Sequence, residues 1–273
     1  MKKAGFLFVL VALVLALASC EKSGESSDPE PDLAASKDLI LVENYFAEIK
    51  DISDDAAASL EGLKSSMSSY MGPCADITID NQDTLFVLTV DFGEENCLCN
   101  DGRNRRGKII STYSGAYWQE GTEITHITEE YFVNDNEVIL SKTVNNQGAD
   151  NNGHPTFSLE ESGSVILAET GDTITRTATR QRNWVEGYDT FIRNDDVFLI
   201  SGNAEGTDRL GRSYEAEITS PLRREIECPH FVSGVRTRSI GDLPVRTLDY
   251  GDGECDNTAT LIINEQEYTI TLP

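Results

Sequence analysis

A chain of 273 residues with 47 acidic and 22 basic side chains carries a formal charge of −25 at neutral pH. Such an excess of carboxylates excludes charge-driven binding of nucleic acid or anionic lipid headgroups, and suits a solvated surface or divalent cations better. With 39% hydrophobic and 8% aromatic residues, the composition is globular, and the length allows one large core or two small ones.

The first element is a targeting segment. Lys2 and Lys3 precede an apolar or small-residue run from Ala4 to Ala18. A basic start and a short apolar stretch make a secretory signal, shorter than the roughly 20 residues that cross a bilayer as a helix. Leu17-Ala18-Ser19-Cys20 follows, which is the bacterial lipoprotein pattern. Residues 1–19 are therefore expected to be removed and Cys20 acylated, with more than one acyl chain giving a stable anchor. Residues 20–35 read as a tether. The stretch EKSGESSDPEPD is acidic, rich in Ser and Pro and free of aromatics, which disfavours a packed core.

Residues 36–73 form the helical segment. Leu39, Val42, Phe46 and Ile49 recur at three- and four-residue spacings, with Ser36 as a cap and Gly72-Pro73 as a stop. From residue 74 to 273 the pattern changes to strands. In TLFVLTVDF, Phe86, Leu88, Val90 and Phe92 share one face. Further strands are predicted around 107–118, 122–133, 137–145, 155–160, 164–168, 172–184, 195–204, 212–219, 231–240, 243–250, 257–263 and 267–272. Turn residues such as VNDNEV, ETGD and INEQEY separate them. Many short strands without interleaved helices predict a mainly β fold: an antiparallel many-stranded meander forming a sandwich, barrel or curled sheet, with an N-terminal helical segment.

Within this β region one phrase occurs twice. Cys74–Cys97 and Cys228–Cys255 each begin at a cysteine, make a hairpin, and end on Asp, an aromatic residue and Gly before a second cysteine. A disulfide tying the start of each hairpin to its end accounts for both, and an exported chain permits it. Cys228 is expected to pair with Cys255. Cys74 pairs with Cys97 or Cys99, and alignment of the two repeats favours Cys97. A zinc site at Cys97 and Cys99 is the weaker reading, because no histidines cluster with them.

Few patterns carry chemistry. His126, His154 and His230 form no metal-binding spacing, and there is no nucleophile elbow or phosphate-cradling glycine loop. No catalytic residue is therefore assigned. Asp249, Asp252, Glu254 and Asp256 lie within eight residues around two glycines and are the candidate calcium ligands, although Asp-Gly is also ordinary turn chemistry. Adjacent carboxylates, Glu160–Glu161 among them, read as solvated surface. Arg103, Arg105, Arg106 and Lys108 form one basic cluster. Arg176, Arg180 and Arg182 share one face of a strand, where cross-strand pairing with acids is expected. Tyr113 and Tyr117 are read on one strand face, with Trp118 on the other and Trp184 closing the arginine strand. These four are the candidate ligand-binding aromatics, because exposed rings stack on sugars, although core packing also uses them.

VDFGEENCLCNDGRNRRGKI, EYFVNDNEV, TRQRNWVEGYDT, ITSPL, CPHFVSGV and LDYGDGECDNTATLIINEQEYTITL together resemble envelope lipoproteins of Bacteroidota, over most of the chain after residue 36. The resemblance implies a lipid-anchored protein of the cell envelope, in the outer membrane and surface-exposed, with a β body and no catalytic residues to carry over. The paired Cys97 and Cys99 depart from the simplest form of that pattern. The expected role is structural, adhesive or ligand-binding, with a glycan or a protein as partner. The alternative is a carbohydrate-binding or carbohydrate-active surface protein.

Overall fold

A computed structural model describes residues 30–60, 71–82, 85–190 and 192–272. Helix α1 runs Glu30–Leu60, so it begins inside the stretch read as tether. Residues 61–70, where a weaker continuation was expected, lie outside the described residues, and Gly72–Cys74 closes as a 3-10 turn. The apolar spacing predicts one buried stripe. Instead, between Ala35 and Ala57 only Lys37 and Ala47 are exposed. A helix buried on all sides must be surrounded.

It is surrounded by a single sheet. One half comprises β1 (Asp76–Gln82), β2 (Leu85–Asp91), β3 (Cys97–Leu98), β4 (Asn104–Tyr113), β5 (Glu123–Val133), β6 (Asn136–Ala149) and β7 (Pro155–Ile166). The other comprises β8 (Thr173–Glu186), β9 (Val197–Thr207), β10 (Ser213–Glu225), β11 (Phe231–Ile240), β12 (Arg246–Asp252), β13 (Thr258–Ile263) and β14 (Gln266–Thr271). All pairings are antiparallel and spatial order follows chain order, except that short β3 branches off to pair with β4 alone. β1 and β14 end the order, so the sheet is open and curls around the helix rather than closing as a barrel.

Local chemistry explains the turns and one merger. Asn134-Asp135 and Asn264-Glu265 take positive φ at both positions, the twist that two-residue hairpins require, and they join β5 to β6 and β13 to β14. The two strands expected at 155–160 and 164–168 are one strand, β7. Gly163 does not break it; a Cβ there would lie 2.1 Å from the Ile139 carbonyl oxygen and 2.8 Å from the Phe46 ring. The glycine makes room for the helix.

Two apolar clusters hold α1. Leu39, Val42, Phe46 and Ile49 pack with Leu88, Ile109, Val138, Leu140 and Val165 of β2–β7. Ile40 packs on the opposite side with Leu248, Leu261, Ile270 and Leu272.

The repeated phrase has one geometry in both copies. Cys74 is bonded to Cys97 and Cys228 to Cys255, with Cα–Cα distances of 5.6 and 5.7 Å. In each, the aspartate at the strand end accepts a hydrogen bond from the glycine two residues on: Gly93 N–H to Asp91 and Gly251 N–H to Asp249, both 2.9 Å. The aromatic residue between them, Phe92 or Tyr250, is buried.

Candidate functional site

Where α1 does not fill the curled sheet, a cavity of about 320 Å³ remains. Its floor is α1 around Ala47 and Lys50, and its walls come from β4 and from β6 to β11. Tyr113, Tyr117, Trp118 and Trp184 all line it. Tyr117 and Trp118 do not extend the strand of Tyr113, as read from sequence. β4 stops at Tyr113, and the loop before β5 carries the other two over the cavity.

Tyr117 is the centre of the aromatic wall. Its ring stacks on Phe157 at 5.0 Å and meets Trp184 edge-on at 6.3 Å, and the Lys50 ammonium lies 5.3 Å from its centroid. Trp184 in turn leans on Phe198. Trp118 stands apart, 75% exposed at the rim.

The electrostatics are set by alternation on two strands. Arg176, Arg180 and Arg182 of β8 and Arg236 and Arg238 of β11 all point to the helix side. Glu43 of α1 enters this cluster. It pairs with Arg180 at 2.9 Å, Arg238 at 3.2 Å and Arg176 at 3.4 Å, and with Arg236. Glu161 of β7 accepts from Arg176 at 2.8 Å and pairs with Lys142 at 3.3 Å. Burial opposes the Glu161 charge, but Lys142 and Arg176 overcome it and hold the carboxyl at about 2. Burial pulls the Arg180 and Arg236 guanidiniums down to about 9 and Arg238 to about 10, so all three stay charged at neutral pH. The buried inward positions beside these long side chains are small: Ala178 on β8 itself, and Ala204 and Ala216 on the intervening β9 and β10.

Arg182 is held differently. It is buried with its guanidinium between the rings of Phe157 and Phe198, at 5.0 and 4.8 Å, and donates to the Tyr117 hydroxyl at 2.5 Å. Among the described residues no carboxylate forms an ion pair with it. Its Nε, the Trp184 indole N–H and the Tyr113 hydroxyl are buried without a hydrogen-bond partner among the described residues.

The remaining candidates distribute as follows. Cys20 lies outside the described residues. With Cys97 bonded to Cys74, Cys99 is the free, buried thiol, and burial pushes it up to about 11. Asp249, Asp252, Glu254 and Asp256 do not gather; Asp249 and Asp256 instead accept from nearby backbone N–H groups in their own turns. Among the described residues no group of three or more His, Cys, Asp or Glu is placed to hold a metal. Glu161, read as solvated, is buried because its neighbours are cations. The arginines of β8 find one acid across the strands but their main partner on the helix. Arg103 and Arg105 likewise reach Glu48 of α1, while Arg106 pairs with Asp135 at 2.5 Å and Lys108 with Asp91 at 3.2 Å.

A serine–histidine contact also exists. The His126 Nδ1–H donates to Ser111 Oγ at 2.8 Å, Ser111 to Ser53 Oγ at 2.8 Å, and Ser53 to the Ile49 carbonyl at 2.9 Å. All three side chains are buried and none lines the cavity. Burial drives His126 down to about 3, so it is a neutral core donor. Comparison with protein-family models, curated proteins and solved structures finds no match to this chain.

Proposed function

We propose that the chain is a lipid-anchored protein of the bacterial envelope, attached through Cys20 and exposed on the outer membrane, whose curled sheet holds a small ligand beside its central helix. The cavity carries this reading. It is concave and of ligand-binding size, its surface is mainly apolar, and six aromatic side chains share its lining with convergent charged groups. The lipoprotein pattern at Cys20 and two disulfides, which form outside a reducing cytoplasm, support the location. Among the described residues no helix is long and apolar enough to cross a membrane, so attachment through lipid is the simpler route for them.

The two tryptophans of the chain both line the cavity, so intrinsic fluorescence reports its occupancy. Titrating the full Cys20→Ser chain with the uncharged dye N-phenyl-1-naphthylamine should give saturable energy transfer from tryptophan. Transfer that never saturates refutes the ligand site. For the anchor, labelled palmitate should enter the unaltered chain and not the Cys20→Ser chain. The rim position of Trp118 favours a second reading, glycan binding, which predicts glycan-array signals that vanish on Trp118→Ala.

A further inference from the structure

Resting on that binding reading, we propose that the cavity selects an organic anion: a carboxylate, sulfonate, sulfate or phosphate group seated against Arg182, carried on an aromatic or alkyl body that lies along Tyr117 and Trp184.

Three features of the wall point the same way. The first is hydrogen-bond polarity. Arginine and indole nitrogens can only donate, and a tyrosine hydroxyl brings one donor of its own. Arg182 Nε, Trp184 Nε1 and Tyr113 Oη are all buried and lack an acceptor among the described residues. Burying such donors unpaired is costly, and a ligand rich in acceptors relieves it. Charged acceptors relieve it most, since hydrogen bonds between ions are the strong ones.

The second is charge. The carboxylates lining the cavity are already engaged. Glu43 and Glu161 serve the neighbouring arginines and Lys142, Asp54 pairs with Lys50, and Asp51 and Asp196 have interactions of their own. Arg182 has two ring faces and one hydroxyl instead. An incoming anion therefore meets a buried cation that forms no ion pair with an acid among the described residues. A cationic ligand meets the opposite. A neutral sugar would supply acceptors but leave the charge of Arg182 uncompensated.

The third is shape. The rings of Tyr117, Phe157, Trp184 and Phe198 surround Arg182, so a molecule whose head reaches the guanidinium has its body against aromatic surface. This is the arrangement for an amphipathic anion rather than for inorganic phosphate alone.

The test uses a matched pair of probes with the full Cys20→Ser chain: 1-anilinonaphthalene-8-sulfonate and its uncharged parent, N-phenyl-1-naphthylamine, read by energy transfer from Trp118 and Trp184. A charge-assisted contact at Arg182 should make the sulfonate bind roughly tenfold more tightly or better. Arg182→Gln should erase that preference while leaving the uncharged dye within about twofold, and Arg182→Lys should restore part of it. Should Arg182→Gln fail to fold, the ratio in the parent chain decides alone. Equal binding of both dyes, or equal losses for both on Arg182→Gln, overturns the anion assignment and leaves the ligand site standing. Binding of neither dye overturns both.

Discussion

The two halves of the sheet present opposite chemistry to the same helix. β2 to β7 offer Leu88, Ile109, Val138 and Leu140 to Leu39, Phe46 and Ile49. β8 and β11 offer Arg176, Arg180, Arg236 and Arg238 to Glu43. Burial of the apolar half stabilises in proportion to the area removed from water and is indifferent to small shifts of the helix. The ionic half gains little net energy, because desolvating its charges offsets most of their attraction. What it supplies is position: one carboxylate reaches four guanidiniums only at one rotation and height of α1. The inward phase of a strand thus need not be apolar when a partner carboxylate arrives from elsewhere.

The sharpest way to break this comparison is to remove one anchor from each half. Glu43→Ala leaves four buried cations without their shared acid and should cost about 3–5 kcal/mol in urea unfolding. Phe46→Ala should cost a similar ~3–5 kcal/mol through the cavity it leaves. Formate should raise the melting temperature of the first variant and not of the second. Rescue of both, or of neither, would erase the distinction.

The disulfides brace the two halves separately, Cys74–Cys97 at β1–β3 and Cys228–Cys255 around β11–β12. Their loops, 23 and 27 residues by sequence separation, are so alike that opening either with paired Cys→Ser changes should cost about 3 kcal/mol. A clearly larger loss for Cys228 and Cys255 would show that the arginine half depends more on its covalent brace.

Acid should act first on the apolar half. His126 titrates near 6.5 when unfolded and near 3 when folded, so the unfolded chain binds the extra proton between those values. Stability from this group is intact above 6.5 and falls by about 1.4 kcal/mol for each pH unit below it. Urea unfolding at several pH values, repeated on His126→Gln, should show a shallower acid limb in the variant. Glu161, held at about 2 against a usual 4.5, adds its loss only below 4.5. The smallest effect belongs to the outer surface. Arg106→Ala removes a part-exposed pair with Asp135 and a contact with the Phe132 ring, and should cost about 0.5–1 kcal/mol.

Much of the β architecture is legible in the residues themselves. Alternation marks most strands, Asn134-Asp135 and Asn264-Glu265 mark two of the turns, and the doubled Asp-aromatic-Gly phrase marks both disulfides. The helix is legible as an element but not as a buried one. Nothing near Asp38, Glu43 and Glu48 in the chain signals their burial, because their partners, Arg209, Arg238 and Arg105, stand 171, 195 and 57 residues away. The four candidate aromatics do converge, yet the sequence hides that Tyr117 and Trp118 reach the cavity from a loop. Arg182 was visible in the arginine triplet. Arg236 and Arg238 were not singled out, although arginine at two successive positions of the strand phase that also holds Val232 and Ile240 was the available signal.

The orderly meander has a consequence for how the molecule is assembled. Each strand after β3 bonds to the one made just before it, so the sheet can grow hairpin by hairpin from one edge. The helix is made before every strand, yet it locks only when β11 brings Arg238 to Glu43 and the C-terminal strands bring Leu272 to the Ile40 cluster. It acts as a spindle on which the sheet is wound, and the last turns fasten it. Loss of the final strands should therefore loosen the beginning of the chain more than its middle.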